Sequence, residues 1–339
     1  MAHYNNLSVF FDGTWNDDSS ETNVWKLRGD LRLGDYQFRG EKDSYTTEAL
    51  YETGPGTSAD WAIYGGAFAA DLGKAIVNAY AWLTEKLLNL KNSGTDTIPQ
   101  LYVFGFSRGA YRAHAFSWLL NDIGIPMNFS KCREIAEAYV KHDHREALEL
   151  AQDGTFPSPA IKMLGLWDVV TAPMDKYQGY QDNIRSPLVE NLYHAMAANE
   201  RRKNFPVMQY NPQQDGTTQT WFSGAHSDVG GGYPEDEREL SDIAFNWMKH
   251  HAMTCGLDFV HEPKTYPSFD FSTLRELHDE AFHLTKPRRS FLSGDQIHAS
   301  LIARKKQIKD YTPEVLNFPG RITRNLADTT IWENDSGNI

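Results

Sequence analysis

Cysteine is scarce in this sequence. The 339 residues include two cysteines, Cys132 and Cys255, and neither belongs to a recognisable motif. Two thiols cannot build a disulfide framework, and two cysteines this far apart in the chain do not form a CxxC metal site. We expect both to be buried free thiols. We also expect no metal and no other cofactor.

Basic residues are outnumbered by acidic ones. Lys and Arg total 33 against 45 Asp and Glu, which gives a formal net charge of −12 at pH 7. Such a surface repels phosphate backbones and anionic headgroups, so we expect no nucleic-acid partner and no purely electrostatic adsorption to membranes. Contact with a bilayer would have to be made by apolar and aromatic side chains.

Long apolar runs are also missing. No run approaches the ~20 residues that cross a bilayer. The N-terminus, MAHYNNLSVFFDG, lacks the basic start and the long apolar core of a signal peptide. We therefore expect a protein that is made in the cytoplasm and has no transmembrane segment. Export by a machine that reads no cleavable signal stays open.

Short apolar runs alternate with amphipathic segments along the whole chain. The 40% hydrophobic and 23% charged composition is that of an ordinary globular protein. Apolar runs predict buried strands, and helical spacing predicts helices. This alternation favours one α/β domain over 1–339, with a mainly parallel central sheet flanked by helices on both faces. We predict strands at 7–11, 101–106, 161–170 and at the start of 218–233, and helices at 65–90, 108–123, 131–151, 188–203, 240–252 and 297–306.

The stretch GFSRGA stands where a predicted strand becomes a helix. In that context G-x-S-x-G is a nucleophile elbow. Ser107 would occupy a sharp, strained turn, and the glycines on either side of it would let strand and helix approach each other. The turn would lift the Ser107 hydroxyl above the sheet and place the Arg108 N–H at a helix N-terminus, where it can stabilise an oxyanion. The alternative is a glycine-rich turn with a purely structural role.

Other predicted strand ends carry residues that could activate this hydroxyl. Ligands collect at the carboxyl ends of parallel strands, and the hydrolase order along the chain is Ser, then Asp or Glu, then His. Asp168 and His226 are therefore the expected partners, with the imidazole taking the proton and the carboxylate holding the imidazole. Asp228 could replace Asp168, orient the histidine or cap a helix. His298 is the rival base, because a hydrolase histidine often comes last in the chain.

The first predicted strand ends in FFDGTWN. The N–H groups of Gly13 and Thr14 are placed to complete an oxyanion hole with that of Arg108, and Asp12 could brace the loop by hydrogen bonds. An aspartyl-phosphate mechanism, which D-G-T after a strand also suggests, needs a second aspartate two positions away. Phe10 and Thr14 occupy those positions, which excludes that mechanism.

A metallohydrolase is the competing class of enzyme. Asp12, Asp168, His226 and Asp228 are ligand types for hard metals, and they lie at predicted strand ends that converge. That interpretation leaves GFSRGA unexplained, so the serine mechanism is preferred.

A set of sequence blocks spans nearly the whole chain: FFDGTWN (10–16), ETGPGT (52–57), GFSRGAYRAH (105–114), LGLWDVV (164–170), HAMAANERRKNF (194–205), WFSGAHSDVGGGY (221–233), LSDIAFNWM (240–248) and IHASL (297–301). In this order the blocks resemble the α/β-hydrolase family that includes the type VI secretion phospholipase effectors. The resemblance implies an α/β-hydrolase core and a lipolytic triad, which falls by motif on Ser107, Asp168 and His226. This chain departs from the family at Asn199, where an acidic residue is common.

A lipid substrate implies an apolar trough beside Ser107 and a mobile cover. The segment 124–160 stands where hydrolases commonly insert a helical cap, and 172–188 could line the entrance. Within the second segment, Tyr177 and Tyr180 could touch acyl chains; ordinary loop packing would explain them equally well.

The leading hypothesis is a serine esterase acting on acyl esters of lipids, a phospholipase A that serves as a secreted antibacterial effector. A cytoplasmic carboxylesterase for small soluble esters and a non-catalytic binding domain on a hydrolase scaffold are the alternatives. An effector of this kind would be exported by a type VI secretion system. Its partners would be an immunity protein or a component of the secretion apparatus.

Overall fold

The computed structural model describes residues 2–14, 16–17, 19–37, 42–54, 66–171, 183–202, 205–263, 289–308, 311, 321–323 and 331–332. The strands are β1 (His3–Phe11), β2 (Gly34–Gln37), β3 (Ser44–Glu52), β4 (Thr97–Phe106), β5 (Ile125–Pro126), β6 (Thr155–Phe156), β7 (Ile161–Trp167), β8 (Leu192–Ala197), β9 (Thr217–Phe222), β10 (Gln296–His298), β11 (Arg321–Thr323) and β12 (Ile331–Trp332). The helices are α1 (Asn23–Asp30), α2 (Gly66–Ser93), α3 (Arg108–Ile123), α4 (Cys132–Val140), α5 (His144–Leu150), α6 (His226–Gly230), α7 (Glu239–Thr254) and α8 (Ala299–Gln307).

Ten strands of the described residues form one sheet in the order β12-β11-β10-β9-β8-β7-β4-β1-β3-β2. The edge pairs β2–β3 and β11–β12 are antiparallel and the other pairs are parallel, which confirms the predicted mainly parallel sheet. β1 has β3 on one side and β4 on the other, so the strand order reverses beside β1. In open α/β sheets, ligands bind in the crevice at the carboxyl ends of strands at such a point.

The side chains of β1 and β4 alternate between two apolar layers. Leu7 and Val103 belong to the layer that also contains residues of α2, α3 and α4. Phe10 and Phe104, whose rings stack at 5.0 Å, belong to the opposite layer with residues of α1 and α7. Helices therefore cover both faces of the sheet, as predicted. Burial on both faces explains why these strands read as continuous apolar runs, and each fully buried side chain contributes about 1.5–3 kcal/mol.

The predicted helix over 188–203 is wrong. This stretch contains β8, which pairs in parallel with β7 and β9 in the middle of the sheet. Leu192 is buried, and so are the four residues from His194 to Ala197. A short run that is buried on both faces shows neither strand alternation nor a clear helical period. The alanines and methionine therefore favoured the wrong element.

Two other predicted helices differ in extent. The helix predicted over 131–151 is divided, because His142 adopts a left-handed φ of 62°. Asp143 then caps α5 by accepting a hydrogen bond from the Glu146 N–H at 2.9 Å. The segment predicted as a helix over 297–306 begins as strand β10 and becomes helical at Ala299.

The segment 124–160 contains the helices α4 and α5 between β5 and β6, which pair as a small antiparallel sheet. Ile135 and Tyr139 of α4 are buried in the layer that includes α2 and α3, and the Tyr139 hydroxyl donates to Asp122 Oδ2 at 2.6 Å. Both cysteines are free thiols; Cys132 is buried as expected, whereas Cys255 is partly exposed. Across the described ranges, no helix combines the length and the apolar character needed to cross a bilayer.

Candidate active site

Ser107 occupies the turn between β4 and α3. It adopts φ 58° and ψ −126°, a conformation that is strained for a residue with a side chain. Its N–H donates to the Trp167 carbonyl at 2.9 Å, and its carbonyl accepts from the Ala110 N–H at 3.1 Å, so both neighbours hold the turn in place. Strand, strained serine and helix follow one another as the sequence predicts.

The two glycines of GFSRGA are required by close backbone approaches. A Cβ at Gly105 would lie 2.5 Å from the Gly109 carbonyl oxygen. A Cβ at Gly109 would lie 2.3 Å from the carbonyl oxygen of Phe11 and 2.4 Å from that of Asp12. Gly109 therefore lets the first turn of α3 pack directly on the carboxyl end of β1.

Gly109→Ala is expected to destabilise the protein. The added methyl group would clash with backbone atoms of Phe11 and Asp12, and β1 cannot shift without disturbing the sheet. We therefore expect a loss of about 1–3 kcal/mol in the free energy of unfolding. The matched control is Gly29→Ala in α1, where a Cβ would meet nothing within 4 Å. That change is expected to be neutral or to stabilise by up to about 1 kcal/mol. Urea denaturation measures both; equal stabilities would contradict the steric argument.

Three polar side chains meet above the carboxyl ends of β4, β7 and β9. The Ser107 hydroxyl lies 2.7 Å from His226 Nε2. On the other side of the ring, His226 Nδ1 lies 2.6 Å from Asp168 Oδ2. Ser107 is 2% exposed, His226 4% and Asp168 0%, so this hydrogen-bonded chain is shielded from water. The geometry allows a proton to move from the hydroxyl to the imidazole.

The charges at the site follow from burial and from one cation. Burial alone would raise the pKa of Asp168, but Arg289 and His226 outweigh it and hold that pKa well below its ordinary value. Burial lowers the pKa of His226 more than Asp168 raises it. Asp168 is therefore a carboxylate and His226 a neutral imidazole at neutral pH. These are the charge states that a general base and its supporting acid need.

His226 is the first residue of the short helix α6, which lies within the glycine-rich stretch GAHSDVGGG. Its ring packs against Phe106, with ring centroids 4.6 Å apart. A Cβ at Gly230 would lie 1.9 Å from the Phe106 ring, so a glycine there lets α6 close over the end of β4. Gly230 thus allows α6 to pack directly on the Phe106 ring.

The loop after β1 lies beside the serine turn, with Asp12 at its centre. Asp12 is fully buried and accepts hydrogen bonds from the Thr22 hydroxyl at 2.5 Å and the Tyr51 hydroxyl at 2.6 Å. Burial raises the pKa of Asp12 to about 6 in spite of these donors. The Gly13 N–H donates to Asp12 Oδ1 at 2.6 Å, so it is occupied within the loop. The oxyanion role of the Arg108 and Thr14 N–H groups stays a prediction.

The alternative site residues have local roles in the structure. Asp228 accepts from the Ala225 N–H at 2.9 Å and so caps the start of α6. His298 caps α8, because its Nδ1 accepts from the Ser300 N–H at 3.2 Å, and its ring stacks on Phe222. In the described part of the chain, no cluster of three or more His, Cys, Asp or Glu side chains could hold a metal ion.

Glu200 and Phe205, which sequence reasoning did not single out, contact His226. Glu200 Oε2 accepts from the His226 N–H at 3.2 Å, and the Phe205 ring lies edge-on to the imidazole at 4.9 Å. Asn199 accepts from the Gly224 N–H at 3.0 Å, so an amide here makes a backbone contact. The block HAMAANERRKNF was the available signal, since it matched the family without an assigned role.

Arg289 is the second contributor that sequence reasoning missed. Its guanidinium forms an ion pair with both oxygens of Asp168. It belongs to the run KPRRS, which reads as an exposed basic stretch, and no motif marks it. The local sequence around Arg289 does not indicate that it pairs with Asp168, 121 positions earlier in the chain.

Comparisons with known proteins bear on this site. The family model described as "T6SS, Phospholipase effector Tle1-like, catalytic domain" matches residues 5–251. No curated protein matches the chain. Among solved structures, the chain is similar to the Tle1 effector bound to the VgrG spike from the type 6 secretion system, at 19% identity and a TM-score of 0.42, with 70% of this chain and 53% of that chain covered. An uncharacterised protein from Pseudomonas aeruginosa is similar at 18% identity and a TM-score of 0.46, with coverages of 76% and 47%. The chain thus spans about half the length of these structures.

Proposed function

The chain belongs to the Tle1-like family of type VI secretion phospholipase effectors, and on that premise we propose that it is a serine hydrolase of phospholipid acyl esters, a phospholipase A. The observation that carries this proposal is the buried hydrogen-bonded chain from the Ser107 hydroxyl through His226 to Asp168. A serine needs such a base to become a nucleophile, and the base needs a carboxylate to hold its tautomer.

In the proposed acylation step, Ser107 Oγ attacks the ester carbonyl while His226 Nε2 takes its proton. Asp168 stabilises the imidazolium that forms, and the N–H groups of Arg108 and Thr14 stabilise the oxyanion. The Thr14 hydroxyl is buried and has no hydrogen-bond partner among the described residues, so it can serve as a further donor. His226 then protonates the leaving lysophospholipid oxygen.

In the proposed deacylation step, a water molecule takes the place of the leaving alcohol. His226 removes its proton as the water attacks the acyl carbon on Ser107, and the oxyanion donors act a second time. Collapse of the intermediate returns the proton to Ser107 and releases a fatty acid. The products are one fatty acid and one lysophospholipid per ester cleaved.

Support for a phosphate-bearing substrate comes from cations beside the imidazole. The Phe205 ring, which contacts His226, has the guanidinium carbon of Arg202 at 3.7 Å and that of Arg108 at 6.0 Å. Arg202 is held there by a two-pronged ion pair with Glu200. In a chain of net charge −12, such a concentration of arginine favours an anionic headgroup close to the scissile ester.

Further parts of the proposal concern architecture and export. We take the fold to be a variant of the α/β-hydrolase fold in a single domain over 1–339, with 124–160 as the cap. The entrance segment 172–188 lies outside the described residues up to 182, and Tyr177 and Tyr180 fall within that part. Family membership supports export by a type VI secretion system, with a secretion-apparatus component or an immunity protein as partner.

Vesicles of long-chain phosphatidylethanolamine and phosphatidylglycerol test the activity, with p-nitrophenyl butyrate as the soluble ester. We expect lysophospholipid and fatty acid in equal amounts by mass spectrometry, and much slower turnover of the butyrate. Protein treated beforehand with a fluorophosphonate serves as the control and should be inactive. Turnover of the butyrate alone would indicate a carboxylesterase, and release of the headgroup would exclude a phospholipase A. No turnover together with no labelling would indicate a binding domain.

A further inference from the structure

Arg289 is buried against Asp168, with 7% of its surface exposed. Its Nη1 donates to Asp168 Oδ1 and, at 2.8 Å, to the Ala197 carbonyl. Its Nη2 donates to Asp168 Oδ2 at 2.9 Å and to the Phe205 carbonyl at 3.0 Å. Both ends of the guanidinium fork thus bind the carboxylate, and both also bind backbone. Arg289 lies outside the range 5–251 that the family model matches.

We propose that Arg289 is a positioning residue: it fixes the Asp168 carboxylate in the orientation that His226 needs and holds Ala197 and Phe205 beside the imidazole. This inference rests on the proposed function, because it assigns a role within the same triad. Arg289 touches neither the proposed nucleophile nor the base in the hydrogen bonds described, so it acts through Asp168.

The Asp168 carboxylate is saturated by its donors. Oδ2 accepts from His226 Nδ1 at 2.6 Å and from Arg289, and Oδ1 accepts from the Ala197 N–H at 2.9 Å and from Arg289. A carboxylate offers about four lone-pair directions, and all of them are used. The group cannot rotate without losing two charge-assisted bonds, so the imidazole is held in one plane.

The same guanidinium also joins the backbone of Ala197 to that of Phe205. It binds the Ala197 carbonyl at one end and the Phe205 carbonyl at the other. Glu200, which lies between Ala197 and Phe205 in the chain, accepts a hydrogen bond from the His226 N–H, and the Phe205 ring contacts the imidazole. Arg289 therefore orients Asp168 and also the backbone next to the residues that contact His226.

Several other charged or titratable groups face the Asp168–His226 pair. Glu200 lies against the His226 backbone and is itself ion-paired with an arginine. His194, in β8, stays neutral because burial lowers its pKa to about 4. The cation in direct contact with the carboxylate is Arg289. Its charge opposes a second positive charge on His226 and lowers the pKa of that imidazole in the same direction as burial.

Arg289→Gln is expected to alter both the rate and its pH dependence. Without the Arg289 charge, the Asp168–His226 pair takes up a proton at higher pH. The acid limb of the kcat/KM profile should therefore shift to higher pH by about one unit. The freed carboxylate should also lower kcat by about 10²-fold through misplacement of the imidazole, with KM little changed. A role confined to folding would move neither the limb nor the ratio of kcat to KM.

Arg289→Lys covers the case in which the glutamine variant does not fold. A lysine keeps the charge but cannot reproduce the fork, so we expect the wild-type acid limb with kcat lowered by about 10-fold. Arg304→Gln is the matched control, because Arg304 is also buried but packs over the Tyr311 ring. The control should retain the wild-type profile. A folded Arg289→Gln protein, or Arg289→Lys where glutamine does not fold, with wild-type kcat and profile would overturn the inference.

An NMR titration of the His226 imidazole separates this inference from the proposed function. It needs no substrate, and it should show the pKa of His226 raised by about one unit in Arg289→Gln. An unchanged titration would overturn the positioning role even in an active enzyme. A raised pKa in a protein that hydrolyses no ester would support the positioning role and reject the proposed function.

Discussion

Ser107→Ala is expected to abolish ester hydrolysis, with a fall in kcat/KM of about 10⁶-fold. The hydroxyl is the proposed nucleophile, so its removal eliminates the acyl-enzyme route; residual catalysis would come from binding and the oxyanion donors. Labelling by a fluorophosphonate should disappear as well. Lipid mass spectrometry after incubation with phospholipid vesicles measures the first effect, and mass spectrometry of the intact protein measures the second.

Ser117→Ala is the matched control for that experiment. Ser117 is a buried serine like Ser107 but lies within α3, and its hydroxyl donates to the His114 carbonyl at 2.6 Å. Loss of this bond should cost about 1 kcal/mol of stability and leave labelling and turnover intact. Fatty acid release that persists in Ser107→Ala would contradict the proposed nucleophile. The same result in both variants would point to a contaminating activity.

The four strands that the sequence predicted, β1, β4, β7 and β9, lie in the interior of the sheet. β1, β4 and β7 contain apolar runs because helices cover them on each side. In β9, TTQTWF, only the last two residues are apolar. β3 escaped prediction although it pairs with β1 along its whole length. One of its residues, Thr47, is buried and the rest are partly exposed, so SYTTEALYE carries no apolar period. The prediction for β8 was wrong for a different reason: the alanines and the methionine in LYHAMA are residues that favour helices.

The candidate site could be predicted from the sequence only at residues that follow a strand. Ser107, Asp168 and His226 each follow a strand, and the structure brings these three side chains together. Residues that support them from loops carry no such marker. Arg289 lies 121 positions after Asp168 in the chain, so their contact is seen only in the folded structure. In a basic run such as KPRRS, the sequence does not distinguish an arginine that is buried from one that is exposed.

His226→Gln is expected to reduce kcat/KM by about as much as Ser107→Ala, again about 10⁶-fold. The amide cannot accept and return a proton, so the serine hydroxyl stays unactivated. The variant should still fold, because Asp168 keeps its ion pair with Arg289 and its bond from the Ala197 N–H. A double variant with Ser107→Ala should be no slower than either single one, because the two residues act as a unit.

His298→Asn decides between the two histidines that the sequence offered as the base. Asparagine is a good N-cap, so it should preserve the start of α8 that His298 now caps through Nδ1. We expect wild-type turnover and wild-type fluorophosphonate labelling from this variant, against the loss of both in His226→Gln. The rate of labelling is the sharper measurement, because it reports activation of the hydroxyl without lipid binding. If His298→Asn lost activity while His226→Gln retained it, the imidazole 2.7 Å from Ser107 would not be the base, and the proposed proton path would be wrong.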